Sequence, residues 1–416
     1  MRLHPLLLFL FLLACPTLLH AQSPADTSRR AAMGWAADVA VGSVAKVDAY
    51  ERMWLHDNHA ATVGAEVRFT PSAADPFAAD YGRPTLGAGL RYGFYRGVTM
   101  RKAPSPEWGQ AEMADYDSRM GNILTAYGFF ERPLLRTRRW EVDYRLDIGL
   151  GWGARPYDKR TNVDNEIIGS HLLIYFGAGA HATWFFTPQY GLRLGLEFAH
   201  HSNGALNRPN KGANFVGPMA GVVYRPAAAI PQAAETALKA PFDARRWYAT
   251  VAVGLGGKTL LEDWLRTQYA TASGDPGYRK ESFHFHYALS AQADVMYRYA
   301  RRWSSGAGVD LFYADAARHI RDLDRLDGHT ERHSPWSVGV AAKHEVWWHD
   351  LALTMSLGVY LYRHMGFTAR DEEKPYYERI GLKYVFPRLH GLWVGANVKA
   401  HMTKADLSEL VVGVRL

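Results

Sequence analysis

The sequence predicts an all-β protein, a transmembrane antiparallel β-barrel whose eight-stranded unit is duplicated along the chain. Three observations lead to this fold class. Apolar and polar residues alternate over many short segments, no long apolar run follows the N-terminus although 48% of the residues are hydrophobic, and 13 Trp and 23 Tyr can supply aromatic girdles. Barrel strands give moderate average hydropathy because their lipid-facing and lumen-facing residues alternate.

The first 21 residues are typical of a secretory signal peptide. Arg2 precedes an apolar run from Leu6 to Ala14 that is too short to cross a bilayer as a helix. Cleavage after Ala21 is the preferred interpretation, and the alternative is a lipobox ending at Cys15 that would leave a lipidated cysteine. Cys15 is the only cysteine, so the mature chain has no disulfide framework, which suits a bacterial envelope protein.

The segment VDYRLDIGLGWG shows the alternation that predicts a membrane strand. Every second residue from Val142 to Trp152 is apolar, and the positions between carry Asp143, Arg145, Asp147 and glycines. The same pattern occurs in LGAGLRYGF, where the apolar residues of 86–94 alternate with glycine and arginine. One face should therefore contact lipid, and the other should line a lumen narrow enough to require glycine.

Segments of this kind fall into two sets. About eight lie between Trp35 and Arg225 and about eight more between Trp247 and Leu416, each near the length of a tilted barrel strand. The halves also resemble each other, since GWAADVAVGSVAK parallels RWYATVAVGLGGK and GLRLGLEFAHH parallels GLWVGANVKAH. The predicted domains are a barrel over 31–225, an Ala/Pro-rich linker over 226–245 and a second barrel-like half over 246–416. The alternative is one barrel of about sixteen strands.

Chemistry is predicted at the end of the seventh strand. The apolar series from Leu192 to Phe198 continues at the same spacing onto His200 and Ser202, where polar groups on a lipid-facing side need an explanation. Side chains at i and i+2 on one strand face are about 7 Å apart at the backbone, so an imidazole there can reach a hydroxyl. In the following segment Asn214 shares the parity of a largely apolar series and is expected beside His200.

The non-catalytic interpretation of this stretch is that Ser, Asn, Gly and Pro are common in any barrel loop, and that an interfacial His extends to water. A separate candidate is SFHFHY, in which His284 and His286 share a face and could ligate a metal. Two histidines make an incomplete set, so ordinary strand positions are favoured. No metal or cofactor is therefore expected.

The stretch HHSNGALNRPNKGAN resembles the signature of the outer-membrane lipid A 3-O-deacylases, a family often labelled acyloxyacyl hydrolase. In that signature His-x-Ser-Asn is followed by Pro-Asn-x-Gly. The matching positions are His200, Ser202, Asn203, Pro209, Asn210 and Gly212. The resemblance covers the N-terminal half, and it implies an eight-stranded barrel of the bacterial outer membrane that removes an ester-linked acyl chain from lipid A.

The resemblance also implies roles for individual residues. Ser202 would be the nucleophile and His200 the general base and then acid. Asn210 with a nearby backbone amide would provide oxyanion donors, and Asn203 belongs to the same substrate-binding group. The acidic triad member of the best-known enzymes would fall on Asn214, whose amide can orient an imidazole but does not stabilise an imidazolium by charge.

Two cations flank the motif, Arg208 and Lys211, and are candidates to bind lipid A phosphates, the alternative being an ordinary charged and exposed loop. The formal net charge of +7 also points to anionic partners, for which lipopolysaccharide is the available source at a cell surface. No motif for DNA or RNA binding is present in the sequence. The sequence leaves the oligomeric state open.

The second half is expected to lack a copy of this site. Its corresponding strand ends with His401 aligned to His201 and with Met402 where Ser202 would be. That half is therefore interpreted as structural or as a partner in substrate positioning. The predicted function is an outer-membrane serine esterase acting on lipid A, and the alternatives are a non-catalytic barrel that binds lipid or serves structurally, and a pore-forming barrel.

Overall fold

The computed structural model describes residues 31–72, 74–104, 113–231, 241–402 and 404–416. The signal peptide predicted over 1–21, with its alternative at Cys15, lies outside the described residues, and so does the middle of the linker from 232 to 240. No helix in the described part of the chain is long and apolar enough to cross a membrane.

The first barrel is a closed ring of eight antiparallel strands, each paired with its neighbours in the chain and the last paired with the first. The strands are β1 (Ala32–Val44), β2 (His59–Thr70), β3 (Thr85–Phe94), β4 (Ile123–Arg136), β5 (Trp140–Gly153), β6 (Leu172–Phe185), β7 (Tyr190–Ser202) and β8 (Ala213–Tyr224). Short helices α1 (Ala49–Trp54) and α2 (Pro76–Asp80) lie in its loops, and Thr99–Met100 pairs with Ser118–Arg119.

The second barrel repeats this topology. Its strands are β9 (Arg246–Lys258), β10 (His286–Ala300), β11 (Trp303–Ala314), β12 (His333–Trp348), β13 (Leu351–Met365), β14 (Tyr376–Val385), β15 (Leu392–His401) and β16 (Lys404–Arg415). Helix α3 (Leu261–Leu265) follows β9 and leads into a π-helical turn (Arg266–Ala270), whereas α4 (Ala317–Leu326) lies between β11 and β12. A second π-helical turn (Thr368–Glu372) follows β13, and a 3-10 turn (Ala227–Ala229) follows β8.

Closure after eight strands confirms the duplicated barrel and shows that the alternative, a single barrel of about sixteen strands, is wrong. The sequence segments that resemble each other occupy equal positions, since β1 corresponds to β9 and β7 to β15. By its internal contacts the chain divides into two compact units. One contains the first barrel, and the other contains the second barrel together with Gly204–Arg208.

The predicted lipid and lumen faces are present in both barrels. On β5 the outward residues Leu146 and Trp152 are exposed, whereas Asp143, Arg145 and Asp147 are buried in the interior. An apolar outer band around a polar interior is the pattern of a transmembrane barrel, because lipid replaces water on the outside. The alternation in the sequence therefore arises because each strand has one side toward lipid and one side toward the lumen, as predicted.

Inward-facing glycines make room for aromatic rings in the first barrel. A Cβ on Gly87 would lie 2.4 Å from Cζ of Phe129, and one on Gly89 would lie 2.5 Å from Cζ of Tyr127. Such contacts are far shorter than van der Waals distance, so these strand positions admit only glycine while the rings stay in place. The narrow lumen is thus filled by large side chains from neighbouring strands.

Charged residues inside the barrels are buried in pairs. Arg145 Nη1 lies 2.5 Å from Glu66 Oε1 in the first barrel, and Lys343 Nζ lies 2.7 Å from Asp310 Oδ1 in the second. Pairing is required because an isolated charge in a lumen of low dielectric would be strongly destabilising. Interiors packed in this way argue against the pore-forming alternative, since eight-stranded barrels are wide enough only for their own side chains.

The loops at the two ends of the first barrel differ in length. The connections over 45–58, 95–122, 154–171 and 203–212 lie at one end, where β7 finishes at Ser202. The other end has the short turns over 137–139 and 186–189 and a single longer connection over 71–84. In barrels of the outer-membrane type the longer loops face the outside of the cell. Most of the longer connections lie at the end where β7 finishes, which indicates that this end faces the outside of the cell.

Candidate functional site

The seventh strand has the side-chain directions that its sequence predicts. Leu194 and Leu196 are 64% and 63% exposed on the outer face, whereas Glu197 and His201 are buried in the interior. His200 follows the outer series and is half-buried at the end of the strand. An imidazole thus lies at the end of the outward-facing series of β7.

Antiparallel pairing brings Asn214 beside His200. The register of β7 with β8 places the two residues directly opposite each other, although 14 positions separate them in the chain. His200 Nδ1 lies 2.8 Å from Asn214 Oδ1. Because the amide oxygen only accepts hydrogen bonds, Nδ1 carries the proton and Nε2 keeps its lone pair. This is the tautomer in which Nε2 can act as a base.

Ser202 ends β7 on the same outer face, two residues beyond His200, and is half-buried. Its partner on β6 is Ile174, and the partner of His200 on that strand is Phe176. Within the described residues no hydrogen bond joins the Ser202 hydroxyl to His200. The structure therefore brings His200 and Asn214 into contact. Ser202 lies next to His200 on the strand face without a hydrogen bond to it.

A hydrogen bond joins Asn203 and Asn210 within the connection over 203–212. The backbone N–H of Asn203 donates a hydrogen bond of 2.8 Å to Oδ1 of Asn210. With its oxygen fixed in this way, Asn210 has its amide nitrogen left to donate elsewhere. The Asn203 side chain is buried, and neither of its amide atoms has a hydrogen-bond partner among the described residues. A buried amide without partners destabilises the fold and needs a reason.

Gly212 packs against the imidazole edge. Its φ is +83°, and a Cβ at this position would lie 2.7 Å from Cε1 and 3.4 Å from Nε2 of His200. The Gly212 N–H donates to the carbonyl of Ile167 at 2.9 Å, and the Lys211 N–H donates to that of Glu166 at 3.1 Å. The loop between β5 and β6 therefore supports the end of the motif. The sequence motif includes Gly212 without indicating a role for it, and nothing in the sequence pointed to residues 166–167.

The two predicted phosphate-binding cations have different surroundings. Lys211 Nζ lies 2.8 Å from Asp48 Oδ2 and 5.1 Å from the centre of the Tyr50 ring, and its side chain is 25% exposed. Arg208 falls in the second compact unit, where its Nε donates to the carbonyl of Thr259 at 3.1 Å. Lys211, which belongs to the first unit, therefore retains part of its exposure to solvent.

Two further positions bear on the site. Glu197 faces the lumen of the first barrel, where it pairs with Arg91 at 2.5 Å and contacts His181 at 3.3 Å. In the second barrel His401 is buried and its Nε2 lies 2.8 Å from the hydroxyl of Tyr360, while Met402 is 50% exposed. The end of β15 therefore has a buried histidine and an exposed methionine where β7 has His201 and Ser202.

Comparison with known proteins was made for both barrels. Residues 86–223 match the family described as Lipid A 3-O-deacylase (PagL), and residues 245–416 match Acyloxyacyl hydrolase, C-terminal domain. Among solved structures the chain is similar to the outer membrane enzyme PagL, with 15% identity and a TM-score of 0.29 over 45% of this chain and 97% of that one. No curated protein matches the chain.

Two further solved structures are also similar to the chain. The toluene transporter TodX of Pseudomonas putida has 10% identity and a TM-score of 0.18 over 94% of this chain and 89% of that one. Omp33 of Acinetobacter baumannii has 9% identity and a TM-score of 0.16 over 93% and 99% of the two chains. These likenesses concern the fold alone. By these matches the first barrel belongs to the lipid A 3-O-deacylase family, a family of lipid A-modifying hydrolases, the second barrel matches the acyloxyacyl hydrolase C-terminal domain, and the protein is one of the bacterial outer membrane.

Proposed function

We propose that the first barrel is a serine esterase that hydrolyses an ester-linked acyl chain of lipid A. The observation that carries the proposal is the 2.8 Å hydrogen bond between His200 Nδ1 and Asn214 Oδ1, beside Ser202 on the lipid-facing surface. A lipid ester in the outer leaflet is reached from the outside of a barrel at headgroup depth. A water-soluble substrate would gain nothing from a base in that position.

The proposed reaction has two steps. In the first, Ser202 Oγ attacks the acyl carbonyl carbon while His200 Nε2 takes the hydroxyl proton. The tetrahedral intermediate then loses the sugar oxygen, which receives that proton from His200, and an acyl-enzyme remains. In the second step His200 takes a proton from water, the resulting hydroxide attacks the acyl-enzyme, and the fatty acid leaves as Ser202 regains its proton.

This mechanism requires Ser202 to turn toward His200 when substrate binds. The two side chains share one strand face, and rotation about χ1 of Ser202 moves its hydroxyl without any change in the backbone. Catalytic hydrogen bonds are often long or misaligned before substrate is present and shorten in the reactive complex. The unbonded Ser202 hydroxyl is therefore compatible with the proposal.

The oxyanion is proposed to bind to the amide nitrogen of Asn210. The bond from the Asn203 N–H fixes the other end of that amide, so the donor is oriented before the reaction begins. The backbone amide of Asn203 is itself used in this bond. Asn203 is accordingly proposed to position Asn210 rather than to contact the oxyanion.

The acyl chain is proposed to lie along the outer face next to His200. Phe176 stands opposite His200 on β6 and is exposed, and Val216, one outward step beyond Asn214 on β8, is also exposed. Leu196 continues this apolar surface toward the middle of the bilayer. Lys211, with its side chain 25% exposed, is proposed to contact a lipid A phosphate. Arg208 keeps that role only as an expectation from the sequence.

The test is incubation of the refolded full-length protein with lipid A, followed by mass spectrometry of the lipid. We expect the wild type to release one acyl chain, and Ser202→Ala and His200→Ala to release none at matched times. Ser43→Ala is the matched control, because Ser43 lies at the loop end of β1 with its hydroxyl 3.3 Å from Nδ1 of His59, another Ser–His pair of the same barrel. Full activity in Ser202→Ala would contradict the proposal.

A lipid-binding barrel without catalysis is the second candidate. It is favoured by the unbonded Ser202 hydroxyl and by the absence of negative charge on Asn214. In that case the wild type and Ser202→Ala would bind lipid A equally well, and neither would change the mass of the lipid. Binding measured alongside mass release therefore separates the two candidates.

A further inference from the structure

Three potential metal ligands from distant parts of the sequence meet in the second unit. Asp263 lies on α3 after β9, His286 begins β10, and His319 lies on α4 between β11 and β12. One nitrogen of each histidine and one carboxylate oxygen of Asp263 lie within 4.8 Å of one another. One of these contacts joins His319 Nε2 to Asp263 Oδ1 at 2.7 Å. The sequence offered His286 with His284 and gave no sign of the other two ligands.

His286 is buried, with one ring nitrogen near a carboxylate and the other without a partner among the described residues. It is 5% exposed, and its Nδ1 lies 3.2 Å from a carboxylate oxygen of Asp315, which favours a proton on Nδ1. Its Nε2 then carries a lone pair, and that atom is buried without a hydrogen-bond partner among the described residues. A carboxylate that holds the far nitrogen of a histidine is the usual support of a metal-binding imidazole. The unpartnered Nε2 is thus an acceptor that lacks a cation or a donor.

The first barrel contains a group of similar composition that serves as a contrast. Glu131, Asp143 and His181 also place ligand atoms within 4.8 Å of one another. The guanidinium of Arg193 lies among them, 3.1 Å from Asp143, and contacts Glu131 as well. The Arg193 guanidinium therefore already supplies a positive charge to this group. No lysine or arginine is paired with Asp263 in the part of the chain that the structure describes.

We propose that Asp263, His286 and His319 bind a divalent transition-metal ion of the Zn²⁺ type. Two imidazoles and one carboxylate are ligands that zinc prefers, and three protein ligands leave one position of a tetrahedral site for water. The His319 and Asp263 side chains are 42% and 19% exposed, so water reaches the site. On binding, the hydrogen bond between these two residues is replaced by a bond from each of them to the metal.

The metal would connect two loops of the second barrel. Asp263 and His286 lie at the two ends of the connection from β9 to β10, and His319 belongs to the connection from β11 to β12. Such a link restricts loops that are otherwise joined by side-chain contacts. The proposal is independent of the esterase assigned to the first barrel.

The test uses untagged, refolded full-length protein from which metals have been removed by a chelator. Equilibrium dialysis against Zn²⁺ should give one ion per chain, and Co²⁺ should give the visible absorption of a tetrahedral site. We expect His286→Ala and His319→Ala to abolish binding at the zinc concentration that half-saturates the wild type. Asp315→Asn should weaken binding by about 10-fold to 100-fold, the usual effect of removing the support of a ligand.

The matched control is His333→Gln. His333 Nε2 lies 2.7 Å from Asp324 Oδ2, a His–Asp contact of equal length, but Asp324 and His333 belong to no group of three ligands among the described residues. Zinc binding should be unchanged in this variant. His319 is half-exposed, so His319→Ala is expected to fold even if His286→Ala does not. No zinc bound by the wild type, or wild-type binding by His319→Ala, would overturn the proposal.

Discussion

His200 and Asn214 face each other across β7 and β8, joined by a hydrogen bond of 2.8 Å from Nδ1 to Oδ1. Both belong to the lipid-facing series of their strands, where Leu196 and Val216 are exposed. The pair thus combines an oriented imidazole with an apolar surface that an acyl chain can occupy. Because the orienting group is an amide, it fixes the tautomer of His200 without neutralising an imidazolium.

Asn214 gives the first prediction. Asn214→Asp keeps an acceptor opposite His200 and adds a negative charge, so we expect kcat to rise by about 10-fold, which corresponds to about 1.4 kcal/mol of added transition-state stabilisation. Asn214→Ala removes the acceptor, and we expect a loss of about 10²-fold to 10⁴-fold, the range for a general base. Rates of acyl release under saturating lipid A measure both. Equal rates in Asn214→Ala and the wild type would show that the amide does not orient the base.

Gly212 gives the second prediction. Gly212→Ala places a Cβ 2.7 Å from Cε1 of His200 and forces a side chain into a backbone with φ of +83°. The imidazole must move, so we expect kcat to fall by at least about 10²-fold, with about 1–2 kcal/mol of stability lost to backbone strain. Deacylation rate and unfolding by urea in detergent are the two measurements.

The control for this change is Gly82→Ala. Gly82 has a φ of +74°, and a Cβ there would meet nothing closer than 4.0 Å. We expect a similar loss of stability with wild-type activity. If both variants lose activity equally, backbone strain and not displacement of His200 explains the effect.

The sequence predicted the fold and half of the site because both depend on strand periodicity. Alternation alone assigns His200 and Asn214 to the outer face, and antiparallel pairing of consecutive strands then makes their contact a local result. The number of barrels depended on which strands close the rings, and alternation carries no information on closure. The duplicated segments and the linker supplied it instead.

Contacts between loops could not be predicted from strand periodicity. Gly212 meets His200 because its loop rests on Ile167, a residue 45 positions away and in no repeating pattern. Likewise Asp263 and His319 meet His286 only after two connections of the second barrel fold together. Loop conformations are set by tertiary contacts, so spacing in the chain does not reveal them.

Asn210 gives the third prediction. Asn210→Asp keeps the oxygen that accepts from the Asn203 N–H and removes the amide donor proposed for the oxyanion. We expect kcat to fall by about 10²-fold to 10³-fold, as for the loss of one oxyanion donor, with little change in lipid A affinity. Single-turnover acyl release and a binding assay provide the two values. A large loss of affinity with kcat unchanged would instead assign Asn210 to substrate binding.

The lumen of the first barrel gives the fourth prediction. Glu66→Gln removes the charge that pairs with Arg145 at 2.5 Å and with Arg68 at 3.1 Å, and it leaves both guanidinium groups in a buried environment. We expect a loss of about 3–5 kcal/mol in the free energy of unfolding, as when one partner of a buried ion pair is removed. Asp117→Asn is the control, because its pair with Arg101 at 3.0 Å is partly exposed and should contribute less than about 1 kcal/mol. Equal losses would mean that the lumen charges are well hydrated.

Lys211 gives the last prediction, which concerns recognition of the substrate. Its ammonium group pairs with Asp48 at 2.8 Å and retains partial exposure, so a lipid phosphate can compete for it. We expect Lys211→Gln to raise KM for lipid A several-fold with kcat unchanged, because a phosphate contact made equally in the ground state and the transition state affects binding alone. The effect should disappear with lipid A from which the phosphates have been removed. An equal rise in KM for both lipids would mean that Lys211 supports the motif loop through Asp48 and does not contact phosphate.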